Sequence, residues 1–139
     1  MLRPIVILFS VLCLCACSGA RLDGVSDDLA KIQFGAGGGF SGEQTSYVLL
    51  EDRRLFIAGQ DSLRLVRRCN RKDVKRIFEE ASTLEPETVN TPGNRWYRLT
   101  YFQEQDTLTA VWGDPTAITP TKLNQLWKDL MDLTKLDSE

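Results

Sequence analysis

The sequence predicts an α+β domain: an antiparallel sheet of about five to six strands with two helices packed on one face. Three observations carry that expectation. Short runs alternate apolar and polar residues between turn-forming clusters. Two longer segments repeat their apolar positions at i, i+3, i+4 and i+7, the helical period. The links between neighbouring strands are of hairpin length, which gives antiparallel neighbours and not the long crossovers of a parallel sheet.

Each element follows from its residues. Residues 29–34 form a short strand leading into a glycine run. Residues 44–50 and 54–58 flank the polar turn Glu51-Asp52-Arg53 as a hairpin, and residues 62–68 set Leu63 and Leu65 against Arg64 and Val66 as a further strand. Asn70 offers an N-cap, with Asp73 three residues on, for a helix over 71–83. Its Val74, Ile77, Phe78 and Ala81 form one buried stripe. A breaker-rich loop runs from Glu85-Pro86 to Thr91-Pro92-Gly93-Asn94. Two strands follow, at 95–103 and 107–112. In the first, Tyr97, Leu99 and Tyr101 share one face, and Trp96, Arg98 and Phe102 share the other. Leu108, Ala110 and Trp112 line one face of the second. Gly113-Asp114-Pro115 ends the sheet, and Thr119-Pro120 supplies the N-cap and first residue of the last helix. There Leu123, Leu126, Trp127, Leu130 and Met131 repeat at helical spacing.

The order of these elements leaves the N-terminus outside the domain. After Met1-Leu2-Arg3-Pro4 comes an apolar run from Ile5 to Ala16. As a helix its 12 residues span roughly 18 Å, short of the ~30 Å hydrocarbon core, so the run reads as an export signal and not a membrane span. It ends Leu14-Cys15-Ala16-Cys17, which resembles the bacterial lipobox. The resemblance implies cleavage after Ala16 and a thioether-linked diacylglycerol on Cys17; an ordinary secretory signal cut near Ala20 is the alternative. The expected organisation is a signal peptide at 1–16, a lipidated cysteine and flexible tether at 17–28, and a single domain at 29–139. The tether reaches at most roughly 35 Å.

The whole chain has 139 residues, a formal net charge of −2, four cysteines and no histidine. Without histidine there is no Ser-His-Asp or Cys-His nucleophile and no histidine-ligated metal, and no metal or cofactor site is expected. The slightly acidic balance argues against a nucleic-acid partner. Once Cys13 and Cys15 leave with the signal and Cys17 carries lipid, Cys69 stands alone and no intramolecular disulfide is available. Cys69 follows Arg67-Arg68, which would activate a thiolate; the favoured reading is a small buried hydrophobe at a strand end.

Two segments are candidates for partner contact. In the glycine run Gly35-Ala36-Gly37-Gly38-Gly39-Phe40-Ser41-Gly42, the glycines match G-x-G-x-x-G formally. A strand and not a helix follows, so dinucleotide binding is not expected. The run reads as a sharp turn, a bulge or a close approach of two strands, with Gly37, Gly38, Gly39 and Phe40 as contact candidates. The second segment holds Arg64, Arg67, Arg68, Arg71, Lys72, Lys75 and Arg76 against one acid, Asp73. It reads as a basic patch for anionic headgroups or an acidic partner, or as an ordinary solvated face. The aromatics Trp96, Tyr97, Tyr101, Phe102, Trp112 and Trp127 read mainly as core, with a carbohydrate platform as the rival. Carboxylates are plentiful, but nothing in the sequence pairs two of them across a cleft.

Gly-Gly-Gly-Phe-Ser-Gly at 37–42, Pro-Gly-Asn at 92–94 and Trp-Gly-Asp-Pro at 112–115 resemble motifs of small uncharacterised exported proteins and lipoproteins of the Bacteroidota. The resemblance covers about Phe34 to Leu136 and transfers no catalytic residue. In such proteins, Ser18-Gly19-Ala20-Arg21 after the cysteine, in place of acidic residues, implies an outer-membrane lipoprotein facing the periplasm. The expected function is a lipid-anchored, non-enzymatic interaction module in the cell envelope. Its expected partners are the membrane, through the lipid, and an unidentified envelope protein, with inhibition of an envelope hydrolase as one form. An enzyme using Cys69 or a carboxylate pair is the rival.

Overall fold

Glycine runs usually mark loops, yet this one builds half of the central strand. The structure, a computed structural model, describes residues 29–40, 42–85, 90–91, 94–104, 106–113 and 121–135. The expected signal peptide, Cys17 and the expected tether, with Pro92-Gly93, Asp114-Pro115 and Thr119-Pro120, lie outside the described residues.

Strand β1 runs Lys31–Gly38, β2 Gln44–Leu50, β3 Arg54–Ala58 and β4 Leu63–Arg68; helix α1 covers Arg71–Ser82. After the two-residue β5 (Asn90–Thr91) come β6 (Arg95–Gln103), β7 (Asp106–Trp112) and helix α2 (Thr121–Thr134). The sheet order is β4-β3-β2-β1-β6-β7-β5. All pairings are antiparallel except the short parallel pairing of β5 with β7. This is the expected α+β architecture, with strands, helix, strands and helix in order. The short β5 inside the expected loop is an addition.

Register places the core. Along β1, Ile32 and Phe34 lie opposite Leu49 and Tyr47 on one side, and opposite Tyr101 and Leu99 on the other. These residues, with Leu55, Ala110 and Trp112, form one sheet face, and side-chain period two keeps them together. The helices cover it: Val74, Ile77, Phe78 and Ala81 of α1 and Leu123, Leu126 and Leu130 of α2 join the same buried cluster. Phe34, Tyr47, Tyr97, Trp112 and Trp127 form a connected aromatic group within it, at centroid distances of 5.3–6.2 Å. So Tyr97, Tyr101, Trp112 and Trp127 belong to the core.

The helix ends are held as their sequences dictate. Asn70, extended at φ −67° and ψ 138°, accepts the Lys72 N–H at 2.8 Å and caps α1. The Arg76 guanidinium donates to Asp129 of α2 and to Glu80, at 3.3 Å for the latter, tying the two helices together.

Two expectations are corrected. The strand expected at 29–34 begins at Lys31 and continues through the glycines to Gly38. Its neighbours require glycine there: a Cβ on Gly35 would fall on the Thr45 carbonyl oxygen, well inside the 3.0 Å limit of real Cβ contacts. A Cβ on Gly37 would lie 2.5 Å from the Trp96 indole. The second correction concerns β4. A bulge sets Leu55 against Arg67 and Phe56 against Leu65, so Val66 is the extra residue. Val66 packs on the core while Leu65 stays 53% exposed. Arg53 (φ 80°) and Glu104 (φ 48°) take left-handed backbone without being glycine. Both lie in tight hairpin turns that demand it, and Arg53 N–H donates to Leu50 O at 2.9 Å.

The β2–β3 turn also predicts a pH response. Asp52 accepts Arg54 Nε at 2.7 Å and Arg54 N–H at 3.2 Å, and this hydrogen bonding holds its carboxyl below the ordinary value of 3.8. A carboxyl depressed by folding contributes stability above its unfolded pKa, and that contribution fades as pH falls through the folded value. Asp52→Asn is therefore expected to lower stability modestly at neutral pH, where the contribution is whole, and to flatten the decline below about pH 4, so that the two curves converge in acid. Denaturation midpoints measured across that range check it.

Candidate interaction surface

The helices close one face of the sheet; no described element covers the other, the open face, though Val48, Leu50 and Thr100 are buried among its side chains. Strand parity assigns that face: Lys31, Gln33, Gly35 and Gly37 of β1, Ser46 and Val48 of β2, and Arg54 and Phe56 of β3. From β4 it takes Leu65 and Arg68, and from β6 Trp96, Arg98, Thr100 and Phe102. The sequence had grouped Trp96, Arg98 and Phe102, but nothing local joins them to Lys31, Arg54 or Arg68. That union is made by long-range register.

The charge on this face has one sign. Its strand positions carry Lys31, Arg54, Arg68 and Arg98 and no acid. Three of these cations lie over aromatic rings: Lys31 Nζ is 5.1 Å from the Phe102 centroid, Arg54 Cζ 5.6 Å from Phe56, and Arg98 Cζ 5.5 Å from Trp96. Such pairs are worth about 0.5–1 kcal/mol when exposed and keep a cation beside an apolar surface. Arg54 shares its charge with Asp52 at 2.7 Å. Lys31, Arg68 and Arg98 have no ion-pair partner among the described residues. The glycines set the relief: with no side chains at Gly37 and Gly38, Trp96 lies down against the strand. The hollow beside it, lined by Gln33, Gln44, Ser46, Trp96 and Arg98, holds only about 20 Å³.

The expected contact residues scatter. Gly37 is buried and Gly38 is paired in β1, so neither belongs to an exposed loop; that reading is corrected for both. Gly39 and Phe40 form the β1–β2 tip, where Gly39 N–H donates to Asn94 O at 2.7 Å and Phe40 is fully exposed. The basic patch divides. Arg64 and Arg68 lie exposed on β4, while Arg67 donates to the Lys135 carbonyl at 3.1 Å, just beyond α2. Lys72 is exposed on α1.

Arg71 and Lys75 border a cavity of about 800 Å³ between α1 and the hairpin turns. Arg53, Glu51, Glu79 and Glu104 also line it, over a floor of Ala30, Val74, Phe78 and Tyr101. Its walls carry both charge signs, and Lys75 and Glu79 pair across 3.6 Å. Burial and the Glu51 charge push the Tyr101 phenol up, so it remains a neutral donor, to Gln103 Oε1 at 3.0 Å.

Cys69 is 3% exposed, and burial pushes its thiol up despite Arg67. A protonated, enclosed thiol is a poor nucleophile. In the folded chain Cys69 is expected to react with a thiol-exchange reagent on the order of a hundredfold more slowly than after denaturation. Equal rates, with Cys69→Ser as the blank, would reinstate it as a nucleophile. No protein-family model matches this chain, and no curated protein matches it either.

Proposed function

We propose that the chain is a lipid-anchored protein of the cell envelope, held through Cys17 at the outer membrane and facing the periplasm. It works there as a non-enzymatic interaction module whose open sheet face meets an anionic envelope component. The single observation behind this reading is the composition of that face: four cations, three set on aromatic rings, and no strand-borne acid. An antiparallel sheet can keep one face in water, so it is the single sign of the charge and its setting on aromatic rings, not the openness of the face, that supports the reading. The enclosed Cys69 thiol speaks against the rival enzyme that would use it.

A specific observation favours a second reading. Phe40 stands fully exposed at a tip whose Gly38, Gly39 and Gly42 all adopt positive φ (87°, 82° and 64°). Inserted into the cleft of an envelope hydrolase, that tip would make the module an inhibitor.

Labelled palmitate supplied to cells is expected to enter the chain and to be lost in Cys17→Ala; retained label contradicts the anchor. Lys31→Gln, Arg68→Gln and Arg98→Gln together are expected to remove the envelope component that co-purifies with the full chain. An unchanged component sinks the open face, and loss in Phe40→Ser alone selects the tip.

A further inference from the structure

We infer that the anionic component met by the open sheet face is the surface of the lipid bilayer itself, so that the domain lies on the membrane to which its lipid holds it. This deepens the proposed function and rests on its reading of the open face. Three observations lead here.

The first is shape. A cavity of about 20 Å³ grips no sugar ring or side chain. The sheet's strands, about 4.8 Å apart, spread the face over roughly 30 Å. A broad surface without a cleft suits a broad partner.

The second is the way charge and apolar groups alternate. Lys31 with Phe102, Arg54 with Phe56 and Arg98 with Trp96 each set a cation beside a ring. Leu65 adds an aliphatic side chain, 53% exposed, near Phe56. Headgroup phosphates take the cations while Trp, Phe and Leu settle at the acyl boundary, as in interfacial segments. An acidic protein surface would use the charges but leave Leu65, Phe56 and Phe102 without a purpose.

The third is position. The described chain enters at Leu29, two residues before Lys31, which itself lies on the open face. A tether of roughly 35 Å is long enough for the sheet to lie flat, and it holds the face at high effective concentration over the bilayer. Weak contacts then suffice. Each cation near an anionic surface is worth about fivefold in partitioning.

The test reads Trp96 alone among the tryptophans, since Trp112 and Trp127 lie in the core. The full chain, produced in an exporting bacterium, is mixed with vesicles whose acyl chains carry bromine, a short-range quencher of indole fluorescence. One set is phosphatidylcholine; the other is equal parts phosphatidylcholine and phosphatidylglycerol. The expected result is quenching at least about threefold greater on the anionic vesicles, absent in Trp96→Phe. It should collapse between about 0.1 M and about 1 M salt, as the Debye length shrinks from ~10 to ~3 Å. Lys31→Gln with Arg98→Gln, one half-buried and one exposed and neither in the core cluster, should reduce it at least about tenfold in vesicle titration while the denaturation midpoint stays unchanged.

Equal quenching on both vesicle types overturns the inference, as does anionic quenching indifferent to salt and to the double variant. Loss of quenching when soluble polyglutamate is added in excess of lipid would assign the face to an acidic polypeptide, and also overturns it. Retention on the neutral vesicles reports the Cys17 lipid separately. A chain not retained there, yet quenched on the anionic ones, removes the anchor and leaves the face.

Discussion

Phe34→Ala is expected to be among the most damaging single substitutions in this domain, costing about 3–5 kcal/mol. Phe34 is wholly buried in the central strand, between Leu99 on one side and Tyr47 on the other. Its ring stacks on Tyr47 at 5.5 Å and meets the Trp127 edge at 6.2 Å. The alanine would leave a cavity bounded by the sheet and α2, and rigid neighbours on three sides cannot collapse into it. A fall in Tm of at least about 10 °C is expected, with the near-ultraviolet aromatic signal weakened. Phe34→Leu should recover more than half of the loss. A full-strength core after Phe34→Ala would mean that the helices do not pack on the sheet as described.

The second large effect comes from adding a single methyl group. Gly35→Ala and Gly37→Ala both place a Cβ on the open face of β1, but against different obstacles. At Gly35 the obstacle is the Thr45 carbonyl of the adjoining strand, which cannot move without parting β1 from β2. At Gly37 it is the Trp96 indole, a side chain that can swing away. Gly35→Ala is therefore expected to cost about 3 kcal/mol and Gly37→Ala about 1–2 kcal/mol. The double-mutant cycle separates them: Trp96→Ala should relieve about 1 kcal/mol of the Gly37→Ala penalty and none of the Gly35→Ala penalty. Equal costs at the two sites, or no coupling with Trp96, would contradict the strand assignment of the glycine run.

The glycines also show where the sequence stopped being legible. Strands and helices were readable because their signals are local: the two alternating faces of 95–103, the Asn70 cap, the stripe of Val74, Ile77, Phe78 and Ala81. At Gly35 and Gly37 the sequence allows a close approach of strands beside a turn or a bulge, but it cannot choose among them, because what demands glycine there is a carbonyl ten residues away and an indole nearly sixty residues away. Alternation alone misplaced Leu65 and Val66, since a bulge is a property of two strands together. The contact candidates are dispersed for the same reason. The basic run from Arg64 to Arg76 is contiguous in sequence but crosses from β4 to α1. There its members divide between an edge strand, the end of α2, an interhelical ion pair and a cavity wall. The open face is its converse: Lys31, Arg54, Arg68 and Arg98 are scattered along the chain and gathered by register.

That gathering is the centre of the account, and one measurement addresses it directly. A photo-crosslinking residue replaces Leu65 on the open face in one full-length chain and Lys72 on α1 in another, both in growing cells. Both sites are exposed, so access to the reagent is comparable. Adducts several-fold more abundant from position 65 than from position 72, to lipid or to protein, are the predicted result. Adducts confined to position 72 would return the contact to the helical basic patch and contradict the account.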